Sequence, residues 1–139
     1  MGPDPRQQIC YTLYSTSNLI TQAYRSLLVP LNLTYPQFVV MMALWQKDGV
    51  SVSHLAAGIG LSKPTMTPML KRLELQNYIT REYDQEDERQ KRISLTEKGR
   101  KLVVKGSDAA KHALCATGLD DEEVEQIILL CQKIKNNLK

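Results

Sequence analysis

The sequence predicts a mainly α-helical chain with one small β-hairpin, on three observations. Apolar residues recur at spacings of three and four along most of the chain. Capping residues and helix stops divide that pattern into segments of ordinary helical length. Only residues 78–83 and 90–95 read as strands, and they are joined by the charged stretch DQEDER. At 139 residues, with 42% hydrophobic and 24% charged, the chain is large enough to bury a core, and its composition excludes collagen-like and wholly disordered classes.

Asp4 and Pro5 read as the N-cap and first position of a helix that Pro30 stops. Cys10, Leu13, Tyr14, Ser17, Thr21, Tyr24, Leu27 and Leu28 share one face of it. Thr34 and Gln37 form a capping box ahead of an apolar helix over 38–46 that Gly49 terminates and that is buried on nearly every side. A short helix over 54–59, a Gly60-Leu61 turn and a longer helix capped by Ser62 follow, the arrangement of a helix-turn-helix. Pro68 removes one backbone hydrogen bond inside the second helix, so a short or bent first turn is expected there. After the two-stranded hairpin, Thr96 caps a helix running over 97–115. Asp120 to Glu123 open a last helix, whose Val124, Ile127, Ile128, Cys131, Ile134 and Leu138 form an apolar stripe and whose Lys133, Lys135 and Lys139 suit its dipole. The expected organisation is one domain over 1–139, with a winged helix-turn-helix over approximately 50–96 between amphipathic, dimer-forming helices over 4–48 and 97–139.

The longest apolar run, 38–45, is far shorter than the roughly 20 residues a membrane span needs. The first residues show no apolar secretory segment, and Arg6 stands where a myristoylation motif has Ser or Thr. No membrane partner and a cytoplasmic location are therefore expected. Cys10, Cys115 and Cys131 are an odd number at wide spacing without a Cys-x-x-Cys pair, and His54 and His112 lie near no second ligand. Neither a disulfide framework nor a metal or other cofactor is expected.

Net charge is +3, concentrated where residues 62–105 hold eleven Lys or Arg against seven Asp or Glu. In a helix-turn-helix the front of the second helix enters the major groove, which puts Ser62, Lys63, Thr65, Thr67, Lys71 and Arg72 in position to meet base edges and phosphates. The hairpin then approaches the minor groove. Arg89, held in a tight turn by Asp87, is the candidate for its tip, with Arg81, Lys91 and Arg92 near the backbone. A solvated charged hairpin explains the same residues without DNA, and the order helix, turn, helix, basic hairpin favours DNA. Cys10 has two readings: a small buried hydrophobe, or a thiol activated as thiolate by tyrosine hydroxyls.

SKPTMTPMLKRLE together with EDERQKRISLTEKG, including Asp87-x-Arg89, resembles the MarR family of winged-helix repressors over nearly the whole chain. QQICYTLYSTSN with LTYPQFVVMMALW is similar to one branch, the organic hydroperoxide resistance regulators. The resemblance implies a non-enzymatic homodimeric repressor of a pseudo-palindromic double-stranded operator. It implies that organic hydroperoxides oxidise Cys10 to a sulfenic acid and so weaken DNA binding. It also implies that Tyr24 and Tyr35 of the partner chain hydrogen-bond Cys10, with Tyr14 nearby. CATG at 115–118 resembles the two-cysteine group, in which Cys115 of the other subunit resolves the sulfenic acid. Cys131 has no role in that pattern and reads as core packing. Three alternatives remain open at this stage: a repressor released by a small aromatic ligand with Cys10 inert; a thiol peroxidase, for which one hairpin offers little of the usual strand-rich scaffold; and a helical interaction module that does not bind DNA.

Overall fold

A computed structural model describes residues 1–83, 85–86 and 90–139; Asp84, Asp87, Glu88 and Arg89 lie outside the described residues. Among the described residues, seven α-helices and a three-stranded antiparallel sheet follow one another as α1 (Ile9–Leu28), α2 (Tyr35–Gln46), β1 (Val50–Ser51), α3 (Val52–Ile59), α4 (Lys63–Leu75), β2 (Ile79–Tyr83), β3 (Lys91–Leu95), α5 (Glu97–Lys101), α6 (Val103–Ala116) and α7 (Asp121–Leu138). The mainly helical winged fold is the one expected.

Most helix starts sit where their capping side chains predict. The hydroxyl of Thr34 accepts from Gln37 N while Gln37 Oε1 accepts from Thr34 N, and Asp120 and Glu123 repeat the arrangement ahead of α7. Ser51, Ser62 and Thr96 cap α3, α4 and α5 through single bonds to the third amide beyond. Gly60 ends α3 at φ 75°, the left-handed conformation a helix C-terminus favours and glycine adopts without cost. α4 is continuous through Pro68, which sits in its N-terminal half on an exposed face, so the expected shortening does not occur.

Four further expectations need correction. Asp4 caps a separate 3₁₀ turn, Pro5–Gln7, because Arg6 binds it through both its amide and its guanidinium; α1 starts only after the extended Gln8. The sheet has a third strand, β1, which pairs Val50 with Ile93 and Ser51 with Arg92, giving the order β1-β3-β2. The helix expected over 97–115 breaks at Leu102 into α5 and α6. At that break the Trp45 indole donates to the Gly99 carbonyl at 2.9 Å, the acceptor Val103 N–H uses in an unbroken helix. Cys131 is half-buried on α7, which buries no residue, so it is not a core residue.

The core lies between α2, α4 and the sheet: Phe38, Met41, Leu44, Met66, Leu70, Leu73, Ile79 and Ile93 are all at most 1% exposed. Two hydrogen bonds tie the α1–α2 turn to the end of α4 and the base of the wing: Gln76 Nε2 donates to the Asn32 carbonyl at 2.6 Å and the buried Tyr78 hydroxyl to that of Leu31 at 2.7 Å. The terminal helices contrast with this core. Only Leu28 of α1 is buried, and Ile9, Leu13, Tyr14, Leu19, Ile128, Leu129 and Leu130 are exposed. No single helix among the described residues is long and apolar enough to cross a membrane.

Candidate nucleic-acid interface and thiol site

α4 presents a polar front. Ser62 Oγ caps the helix and lies 2.8 Å from Thr65 Oγ1, and Thr67 Oγ1 donates to the Lys63 carbonyl at 3.0 Å. Lys63, Thr65, Thr67, Lys71 and Arg72 are exposed, while Met66, Leu70 and Leu73 on the opposite face are fixed in the core. A helix anchored on one side by three buried apolar residues holds its polar side at a fixed height above the surface, the requirement for entering a groove. Arg72 stands apart from the others, in a cleft shared with Asn32, Thr34 and Gln76 beside the α1–α2 turn.

The wing divides its charges by strand alternation. Arg81 and Tyr83 face one side, paired in register with Ile93 and Lys91, while Glu82 faces the other, opposite Arg92. Arg81 is half-buried and gives Nη2 to Glu74 Oε1 of α4 at 3.1 Å, a bond that holds the Glu74 carboxyl below its ordinary range. Arg92 reaches across β3 to donate from Nη1 to the Gly49 carbonyl. Lys91 keeps its ammonium 5.3 Å from the centre of the Tyr83 ring. Asp87 and Arg89, the expected tip, lie outside the described residues.

A polar notch of about 350 Å³ separates α4 from the wing, with Ser53, Lys63, Arg81, Tyr83 and Lys91 among its walls. Sequence reading found the lysines and Arg81 there but missed Ser53, Tyr83 and Glu74. The period of two in β2 was a signal for Tyr83; nothing local marked Glu74 as the partner of an arginine seven residues on.

At the other end of the molecule, Cys10 is exposed in the first turn of α1, with the exposed Tyr14 one turn beyond it. Tyr24 and Tyr35 pack against each other with ring centres 5.0 Å apart, and Tyr24 also meets Phe38 at 5.6 Å. Burial, and then the proximity of Tyr35, push the Tyr24 hydroxyl above its usual pKa and keep it a proton donor at neutral pH. Cys10 and Tyr24 lie fourteen residues apart on one helix, about 21 Å of rise at roughly 1.5 Å per residue, so they do not meet within a chain. Cys115 is exposed near the end of α6, and Ala116 beside it packs at the level of Thr16 and Leu19 on α1. Six residues, about 9 Å of helix, separate Thr16 from Cys10. An apolar groove of about 470 Å³ runs between α1, α6 and α7, lined by Leu19, Ile20, Ala113, Ala116 and Ile127.

Comparison with known proteins gives the following. The family model for the transcriptional regulators SarA/Rot matches residues 22–105. Over 95 residues the chain is 44% identical to the HTH-type transcriptional regulator TtmR of Methylorubrum extorquens; the match covers 68% of this chain and 49% of that protein, so the chain spans about half the length of that relative. Over 120 residues it is 39% identical to the organic hydroperoxide resistance transcriptional regulator of Bacillus subtilis, covering 86% of this chain and 82% of that one. Among solved structures, AbfR of Staphylococcus epidermidis in its reduced state bound to DNA superposes with a TM-score of 0.81 at 29% identity, over 96% of this chain and 93% of that one. The disulfide form of AbfR gives 0.68 at 30% identity, over 96% and 88%.

Proposed function

The chain belongs to the SarA/Rot transcriptional regulators, of the MarR-like winged-helix type, and from that membership we propose a homodimeric repressor that leaves its operator when an organic hydroperoxide oxidises Cys10. The observation that carries this reading is the separation of the exposed Cys10 from the Tyr24–Tyr35 pair by about 21 Å of one helix, along a face that leaves Leu13 and Tyr14 exposed. A second copy of the chain covers that face and brings its own tyrosine pair to the thiol. The same copy fills the groove between α1, α6 and α7 and sets two recognition helices at the spacing of two half-sites, about one helical turn or roughly 10 bp.

The DNA contacts assigned by this reading are Ser62, Lys63, Thr65, Thr67, Lys71 and Arg72 on α4, with Lys91 on the wing and Asp87 and Arg89 at its tip. Arg81 and Arg92 act from behind, since one is held by Glu74 and the other reaches Gly49. In the redox step the Cys10 thiolate attacks the terminal hydroperoxide oxygen. An S–O bond forms, the O–O bond breaks, and the alcohol departs with a proton, leaving a sulfenic acid. The partner subunit's Cys115 thiol then attacks that sulfur, forming the disulfide and releasing water. Tyr24 and Tyr35 donate to the thiolate and favour it over the thiol.

Two further observations support the reading: the similarity to a regulator named for organic hydroperoxide resistance, and the better superposition on reduced, DNA-bound AbfR than on its disulfide form. Sedimentation velocity at micromolar concentration tests the assembly. A dimer is expected, and a monomer that binds DNA with equal affinity contradicts it.

A further inference from the structure

We propose that the notch between α4 and the wing is a single phosphodiester site, in which Lys63 of α4 and Lys91 of β3 close on one backbone phosphate of the bound duplex. The inference rests on the DNA-binding reading above and specifies how one part of that interface works. Four observations carry it. Lys63 and Lys91 come from different elements yet line the same cavity of about 350 Å³. The Lys91 ammonium is held at the Tyr83 ring, 5.3 Å from its centre, which restricts a side chain that otherwise sweeps a wide volume. The Arg81 guanidinium forms part of the wall, with Nη2 held by Glu74 and a buried Nε that has no acceptor among the described residues. Ser53, at the start of α3, supplies a hydroxyl on the same wall.

The notch carries a net positive charge suited to an oxyanion. Glu74 offsets Arg81, which leaves the two lysines as the net positive charge of the notch, and strand alternation turns Glu82 to the other side of the sheet. A phosphodiester brings acceptors to the lysines and to Ser53, over a wall that Arg81 forms from behind. It also fixes the wing against the recognition helix, because one phosphate is then held from both.

Salt dependence reads this out, since each phosphate neutralised on duplex DNA contributes about 0.9 to the slope of log affinity against log salt. The probe is a fluorescein-labelled random-sequence duplex, followed by anisotropy in KCl from about 50 to 200 mM. If the two lysines of each protomer hold one phosphate, the two notches of the dimer account for two phosphates, so the double variant Lys63→Met, Lys91→Met loses about 1.8 from the wild-type slope, and adding Lys71→Met, a lysine outside the notch, brings the loss to about 3.6. A loss of about 3.6 from the first pair alone means two separate phosphates in each protomer and overturns the proposal, as does no loss at all. All three lysines are surface side chains, and circular dichroism of each variant should match the wild type. Calorimetric titration with inorganic phosphate separates the remaining source of the same chemistry. Saturable phosphate binding that the double variant abolishes, with its duplex slope unchanged, assigns the notch to a soluble anion and overturns the proposal. A wild type that binds no duplex fails the DNA-binding reading itself, whereas additive losses in a protein that does bind fail only the notch.

Discussion

A mixed dimer joining a Cys10→Ser protomer to a Tyr24→Phe, Tyr35→Phe protomer should oxidise its one sensing thiol at the wild-type rate. Its only Cys10 belongs to the chain without tyrosine hydroxyls at 24 and 35, and the only intact pair belongs to the other chain. Within a chain the thiol and Tyr24 are about 21 Å apart along α1, several times the reach of a hydrogen bond. A hydrogen bond to a charged acceptor contributes about 1.5 kcal/mol or more, so each lost hydroxyl withdraws that much stabilisation from the thiolate. The thiolate then becomes about tenfold scarcer, and its nucleophilicity rises about threefold in compensation. The net cost is a rate about threefold lower per hydroxyl, or about tenfold for the pair. The assay is rapid mixing of a tag-purified mixed dimer with excess cumene hydroperoxide, quenching, and intact-mass measurement of each protomer. A mixed dimer as slow as the homodimeric double tyrosine variant refutes assembly of the sensor across two chains.

Three other outcomes follow from the geometry. Gly106→Ala places a Cβ 2.5 Å from Trp45 Cη2 and 2.8 Å from Cζ3, on a ring fixed by its bond to Gly99, so overpacking of about 1–3 kcal/mol outweighs the roughly 1 kcal/mol gained in helix propensity, and the urea midpoint should fall. Tyr24 and Tyr78 both have raised pKa values through burial, so the unfolded chain releases their protons first, near pH 10. Stability is therefore intact below about pH 10 and lost as pH rises through the folded values; melting curves at rising pH should show a shallower decline in Tyr24→Phe than in the wild type. Cys115→Ser should still oxidise at Cys10 but form no cross-linked dimer on non-reducing electrophoresis, and mass measurement should find sulfinic and sulfonic forms in place of a reducible disulfide.

What the sequence made legible was local. Thr34 with Gln37, Asp120 with Glu123, Ser62, Thr96 and Gly60 act within three or four residues of themselves, and each marks its helix end as expected. The features that escaped depend on distant partners. β1 is two residues long and exists because Val50 and Ser51 find β3 more than forty residues later. The break at Leu102 accompanies a bond from Trp45, fifty-four residues before its acceptor. Asp48 with Gly49 reads as a turn, but nothing local shows that its Oδ1 accepts from both Gly49 N and Leu95 N and so pins β1 to the end of β3. The candidate site divides in the same way. The polar front of α4 follows from helical spacing against buried Met66, Leu70 and Leu73, whereas the commitment of Arg81 to Glu74 and of Arg92 to Gly49 needs the folded wing. The thiol site was legible only as a cysteine and tyrosines on one helix face; the length of α1 then separates them.

The central claim is that oxidation at Cys10 turns DNA binding off. Its most direct test is anisotropy on a duplex from the regulator's own operator, before and after a stoichiometric organic hydroperoxide, for the wild type and Cys10→Ser. The account predicts equal affinity for both reduced proteins, release of the wild type on oxidation with recovery in dithiothreitol, and no release of Cys10→Ser. Release of Cys10→Ser by hydroperoxide, or a wild type that stays bound while mass measurement finds Cys10 oxidised, contradicts it.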